Sequence, residues 1–185
     1  TLSLHDALPI LTSHVEVTVS SEDNAEVRRI SLTNNSDEDK IIEITSYCEV
    51  TLAPFDADVV HPAFSNLFIR TEFLNDLECV IANRRPRAKG QKKPHVLQCV
   101  CIEGEDMEMA QYETSRVNFI GRDRDLISPL AMEHNMALKN SEGAVLDPII
   151  SIRKRVKIAP GETCKIAYTT AVVDSRDDAI EIAKK

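Results

Sequence analysis

Tryptophan is absent from the 185-residue sequence, and aromatic side chains make up only 4% of it. A surface that stacks a run of bases needs many exposed rings, so a broad aromatic platform is excluded. Positive charge is scarce as well: 22 Lys and Arg face 30 Asp and Glu, for a formal net charge of −8. General nucleic-acid affinity needs a basic face that displaces counterions, and no nucleic-acid partner is expected. Long apolar runs are missing too; none approaches the roughly 20 residues that carry a helix across a bilayer. The five cysteines are an odd number. A chain long enough to bury a core has no need of disulfide staples, so a reducing, cytoplasmic setting is expected.

The common catalytic signatures are also missing. The sequence has no GxSxG elbow, no HExxH and no GxxxxGK phosphate loop. Cys99 and Cys101, two apart in an apolar stretch, read as small buried hydrophobes on one side of a strand. Together with Cys79 and His95 they lack a CxxC knuckle, so neither a zinc site nor any other bound cofactor is expected. The abundance of acids makes apparent carboxylate pairs such as Asp56/Asp58 and Asp123/Asp125 uninformative; they read as solvated loop charges. Arg84, Arg85, Arg87, Lys89, Lys92 and Lys93 form a cationic run broken by Pro86, Gly90 and Pro94. It reads as a solvated loop, with phosphate or partner contact as the alternative.

Strand periodicity runs through what is present. Val15, Val17 and Val19 alternate with Glu16 and Thr18, the pattern of a half-buried strand. In "IIEITSYCEVTLA" Ile42, Ile44, Ser46, Cys48, Val50 and Leu52 share one side, with Ser46 the only polar member. "APFDADVVHPAF", with two prolines, reads as a loop, and "LFIRTEF" and "LECVIAN" as strands. "HVLQCVCI" is apolar on both faces apart from Gln98, as suits a central strand covered on both sides. "EGEDMEM" reads as an acidic connection, and "QYETSRVNFIGRDRDLISPLAM" as loop with short structured pieces. "SIRKRVKI" places Ile152, Val156 and Ile158 inward and Arg153, Arg155 and Lys157 outward; "TCKIAYTTAVV" closes the series. Strands separated by turn signals predict a mainly β protein, an antiparallel β-sandwich. Ser175 followed by Asp178 is a capping-box-like start to a short C-terminal helix with Ala179, Ile180, Ile182 and Ala183 on its apolar face.

The expected organisation is a sandwich over residues 11–174 and the start of a linker helix over 175–185. Residues 1–10, "TLSLHDALPI", follow no initiator methionine and resemble a translated sequencing adapter; they are read as non-native, so His5 and Asp6 receive no role. The chain is accordingly read as a fragment of a longer protein, with the helix expected to continue.

Five stretches in order carry a family resemblance: "RRISLTNNSDEDKIIEITSYCEVTLA", "HPAFSNLFIRTEF", "ANRRPR", "QYETSRVNFIGRDRD" and "GAVLDPIISIRKRVKIAPGE". Together they resemble the galactose-mutarotase-like super-sandwich domain of glycoside hydrolase family 94, formerly glycosyltransferase family 36. The wording most resembles cyclic β-1,2-glucan synthases and β-1,2-oligoglucan phosphorylases. "YTTAVVDSRDDAIEIAKK" is similar to the exit from that sandwich toward a helical (α/α)6 barrel. The resemblance implies inverting chemistry on β-glucan oligosaccharides, with inorganic phosphate as co-substrate in a phosphorylase, and a general acid on the barrel. No catalytic residue is therefore assigned to this chain, which is expected to be inactive alone. A cyclic glucan synthase would add an inner-membrane region.

Against that background the loop bearing Tyr112, Glu113, Arg116, Arg122 and Arg124 is the expected edge facing substrate or barrel. Arginine forks suit hydroxyls, carboxylates and phosphate. The plain alternative is an Arg–Glu network that fastens the loop to the sandwich. His61 before Pro62 reads as extended, and Phe64 joins it either as a ring anchoring the loop or as a carbohydrate contact. A stand-alone carbohydrate-binding module and a purely structural domain, including a homodimer contact, are the competing readings.

Overall fold

The computed structural model describes residues 10–86, 89–90 and 93–185. Residues 1–9 of the adapter-like segment, with His5 and Asp6, lie outside the described residues, as do Arg87 and Lys92 of the cationic run. Among the described residues the strands in chain order are β1 (Leu11–Val19), β2 (Ala25–Asn34), β3 (Lys40–Thr45), β4 (Cys48–Glu49), β5 (Ile69–Leu74) and β6 (Cys79–Arg84). They continue with β7 (His95–Glu103), β8 (Glu105–Asp106), β9 (Gln111–Ser115), β10 (Pro148–Ile158) and β11 (Thr163–Val173). The helices are α1 (Phe55–Val60), α2 (Pro62–Asn66), α3 (Arg116–Ile120) and α4 (Arg176–Lys184).

Every strand pairing is antiparallel. The larger sheet has the order β1-β2-β11-β7-β6-β5. The smaller is built on β10, with β3 and β4 in one continuous register along one edge and β8 and β9 along the other. Between the sheets lies the main core, which includes Val80, Val100, Ile150, Ile152, Val156 and Ile166. A second core lies on the far side of the larger sheet, where Cys79, Ile81, Leu97 and Ala171 meet Ala179 of α4. The central β7 is buried on its inner face at Val96, Gln98 and Val100 and on its outer face at Leu97. Farther along that outer face Cys99 is half-buried and Cys101 exposed, so the expected burial of both cysteines is corrected. Ser175 caps α4: its Oγ accepts from the Asp178 N–H at 3.1 Å.

The inward row of the "IIEITSYCEVTLA" stretch survives as Ile42, Ile44, Val50 and Leu52 in the main core, but the stretch is two strands rather than one. At Ser46 the hydroxyl and amide both bond to Ile152, Oγ accepting the Ile152 N–H at 3.0 Å, and regular pairing lapses before β4. Ser46 Oγ also donates to Gln98 Oε1 at 2.6 Å. These two polar side chains on the inner rows thus satisfy one another, as buried polar groups must.

Three further expectations are corrected. Val15, Val17 and Val19 form a strand, but all are more than half exposed. On β1 it is Leu11, at the start of the strand, that packs against the main core. The segment around Pro54 and Pro62 is not a plain loop: Pro54 precedes α1 and Pro62 occupies the first turn of α2, a position where a missing N–H costs nothing. Arg153 lies on the outer face of β10 yet is buried, because the segment bearing Ala131 and Met136 folds over it.

Candidate functional site

The expected site residues separate into three places. Tyr112 lies between the sheets, its ring stacked on Phe73 at 4.0 Å. Its neighbour Glu113 points the other way and is 1% exposed. The Glu113 carboxylate accepts the N–H groups of Thr114 and Ser115 at 3.1 and 2.9 Å and the Ser141 hydroxyl at 3.3 Å. Both residues are occupied in the scaffold. His61 and Phe64 belong to the α1–α2 arm and are exposed; Phe64 meets Phe68 edge-on at 5.3 Å. The rings that anchor this stretch are Phe68 and Phe73, and Arg84 lies over Phe68 at 5.4 Å.

Arg116 and Arg124 do come together, around the loop that follows α3. Arg116 is held by three residues. Its Nε donates to the Tyr47 hydroxyl at 3.2 Å, and ion pairs reach Glu49 at 3.3 Å and Asp147 at 3.4 Å. Tyr47 donates to Glu49 at 3.0 Å and packs its ring on Phe119 with centroids 5.0 Å apart. Burial pushes the Tyr47 phenol up, against the pull of Arg116; it remains a neutral hydroxyl at physiological pH. Arg124 pairs with Glu133, while Arg122 is exposed. The Arg–Glu network weighed as the plain alternative is therefore present, and it shapes two adjoining clefts.

One cleft, of about 520 Å³, is lined by Arg116, Gly121, Arg124, Asp125 and Asp147 along with Val117 and Ile127. The other, of about 570 Å³, runs past Thr45, Tyr47, Phe119, Pro129 and Met132. Leu126 and Ile127 border both. Val117, Ile127 and Leu146 are strongly exposed, Ile127 by 93%. An apolar rim beside a guanidinium, a phenol and two carboxylates can orient a polyhydroxylated ligand, and its apolar part suits a protein surface. Tyr47, Glu49 and Asp147 were not anticipated from sequence. Tyr47 carried the one available signal, a ring on the outer row of an otherwise polar alternation.

Gly121 sets the exit from α3. Its φ of +86° and ψ of 168° belong to glycine, and a Cβ would lie 2.8 Å from Leu130 Cβ. Gly121→Ala is expected to lower stability by about 1–3 kcal/mol and to lift the loop carrying Arg124. Urea unfolding measures the first, and loss of amide protection confined to residues 122–133 the second.

Residues 9–185 match the family described as glycosyl hydrolase 94, supersandwich domain. The cyclic beta-(1,2)-glucan synthase NdvB of Rhizobium meliloti (strain 1021) is 36% identical over 167 residues, covering 90% of this chain and 6% of that protein. The solabiose phosphorylase of Paenibacillus borealis is 22% identical over 178 residues, covering 95% of this chain and 22% of that protein. Among solved structures, a polysaccharide lyase superposes with a TM-score of 0.53 at 15% identity, over 94% of this chain and 22% of the lyase; that likeness concerns the fold alone. The chain spans a small part of the length of each relative, and it belongs to the glycosyl hydrolase 94 supersandwich domain family.

Proposed function

We propose that this chain is the sandwich domain of an enzyme that transfers glucosyl units of β-glucans, and that its Arg116 rim seats against a helical catalytic barrel at the edge of the sugar site. The observation that carries the reading is the composition of that rim: an ion-paired guanidinium and a neutral phenol beside Ile127 and Val117, which are exposed far beyond what a finished surface favours. The family and the glucan-synthase and phosphorylase relatives support the substrate class. In this reading the barrel supplies the general acid, and an acceptor sugar or inorganic phosphate supplies the nucleophile. The domain orients and supports, and is inactive alone. The enzyme works in the cytoplasm, joined to an inner-membrane region where it is a synthase.

The test is Arg116→Ala in the whole enzyme with linear β-1,2-glucan as substrate. Loss of an orienting contact made equally in ground and transition states raises KM, by about tenfold for about 1.4 kcal/mol, with kcat little changed. Calorimetric titration of the sandwich with the same glucan is expected to give heat that Arg116→Ala removes. An unchanged KM together with no heat from a folded domain would reduce the rim to a support.

A further inference from the structure

Cys79 and Cys99 stand directly opposite one another on β6 and β7. The pairing pattern fixes how close they are. The Val100 N–H donates to the Glu78 carbonyl at 3.3 Å, and the Arg84 N–H to the Pro94 carbonyl at 3.4 Å. Both are partners in the same register, so the hydrogen-bonded pairs of this ladder fall at Glu78/Val100 and at every second position after it. Cys79/Cys99 is the intervening, non-hydrogen-bonded pair. At such pairs Cα atoms approach to about 4.5 Å with side chains leaning together, inside the roughly 4.4–6.8 Å that a disulfide spans.

Both side chains lie on the face of the larger sheet covered by α4. Cys79 is fully buried, whereas Cys99 is half-buried and opens into a cleft of about 490 Å³ that also includes Leu77, Cys101, Thr169 and Ile182. The neighbouring Cys99 and burial push the Cys79 thiol up, while the neighbouring Cys79 lowers that of Cys99, whose Sγ lies 3.9 Å from the Thr169 carbonyl. Cys99 is thus the sulfur that an oxidant can reach and Cys79 the one behind it, the division of labour a nucleophilic and a resolving cysteine require.

We propose that Cys79 and Cys99 are a site of reversible oxidation by hydrogen peroxide, closing to a cross-strand disulfide beneath α4. The Cys99 thiolate attacks one peroxide oxygen; the O–O bond breaks, hydroxide leaves and Cys99 becomes a sulfenic acid. Cys79 then attacks the Cys99 sulfur, the S–S bond forms and the S–O bond breaks. The departing hydroxide takes the proton that Cys79 releases. Two thiols and one peroxide yield one disulfide and two waters. Cys101 cannot replace Cys79: two residues along one strand are about 6.6–6.8 Å apart with side chains parallel, too far for the Cβ spacing of a disulfide.

The experiment is peroxide treatment of the purified protein, alkylation of free thiols and non-reducing peptide mapping. The expected product is one linked peptide joining Cys79 to Cys99, lost with dithiothreitol, with Cys48, Cys101 and Cys164 still alkylated. Cys99→Ser is expected to abolish the link and Cys101→Ser to leave it intact. Cys79→Ser, where it folds, is expected to trap a dimedone-reactive sulfenic acid at Cys99; the wild-type map decides the matter without it. A Cys99–Cys101 link, an intermolecular link, or full alkylation of Cys79 and Cys99 after treatment would overturn the proposal.

Discussion

Glu78→Ala is expected to lower the unfolding free energy by about 3–5 kcal/mol, more than removal of the lysine it binds. Lys154 sits on the inward side of β10 with its side chain wholly buried. Its ammonium donates to Glu78 Oε1 and Oε2 at 2.8 and 3.0 Å and to the Glu108 carbonyl at 2.8 Å, and pairs with Asp106 at 2.8 Å. Glu78 also accepts the Ala110 N–H at 2.7 Å, so one carboxylate joins the β5–β6 turn, β10 and the segment before β9. The exposures are unequal: the Lys154 side chain reaches no solvent, whereas the carboxylate side chains are 23% exposed at Glu78 and 44% at Asp106. Truncating Glu78 leaves a buried ammonium short of its main partner, and breaking a buried pair that way carries the cost given above. Lys154→Met removes the buried charge, keeps most of the stem volume and leaves carboxylates that water can reach. Its expected cost is about 1–2 kcal/mol. Urea unfolding of the two variants checks the order. Equal losses would mean that the ammonium finds water or another acceptor.

That network was invisible to sequence reading, and the reason is general. Alternation recognises apolar rows, and it recovered β7, β10, β11 and the inward set of Ile42, Ile44, Val50 and Leu52 because each row meets an apolar row across the core. It says nothing about a lysine on an inward row whose stem is apolar and whose head finds acids from two other segments. Nor does it know where the facing layer ends, so Val15, Val17 and Val19 looked half-buried although the main core takes Leu11 from β1 and leaves them exposed. The site shows the same division. Arg116 and Arg124 were legible as arginines in an aperiodic loop. Tyr47, Glu49 and Asp147 were not, because they reach Arg116 only through the register of β4 with β10 and the turn before Pro148. Tyr112 and Glu113 are adjacent in the motif and so point to opposite faces of the smaller sheet, which takes both from the surface.

Arg153→Ala is expected to cost about 3–5 kcal/mol and to release the site loop before the sheets part. Its guanidinium donates to the Thr45 hydroxyl at 2.9 Å, to the Met136 carbonyl at 2.6 Å and to the Ala131 carbonyl. Burial lowers the Arg153 pKa from its usual value, opposed by the charge of Glu43. Truncation strands two carbonyls, one of them on buried Ala131, at about 1–3 kcal/mol each, and leaves the volume of the side chain empty beneath the loop. Arg153→Lys restores the charge without the planar fork that serves two carbonyls at once, so it is expected to recover less than half of the loss. Hydrogen exchange separates this outcome from general destabilisation: protection is expected to fall at residues 122–136 while β7, β10 and β11 stay protected. Because Leu126, Ile127 and Glu133 line the clefts beside Arg116, a residue that touches neither cleft decides whether their walls stand. A uniform loss of protection would instead make Arg153 part of the cooperative core.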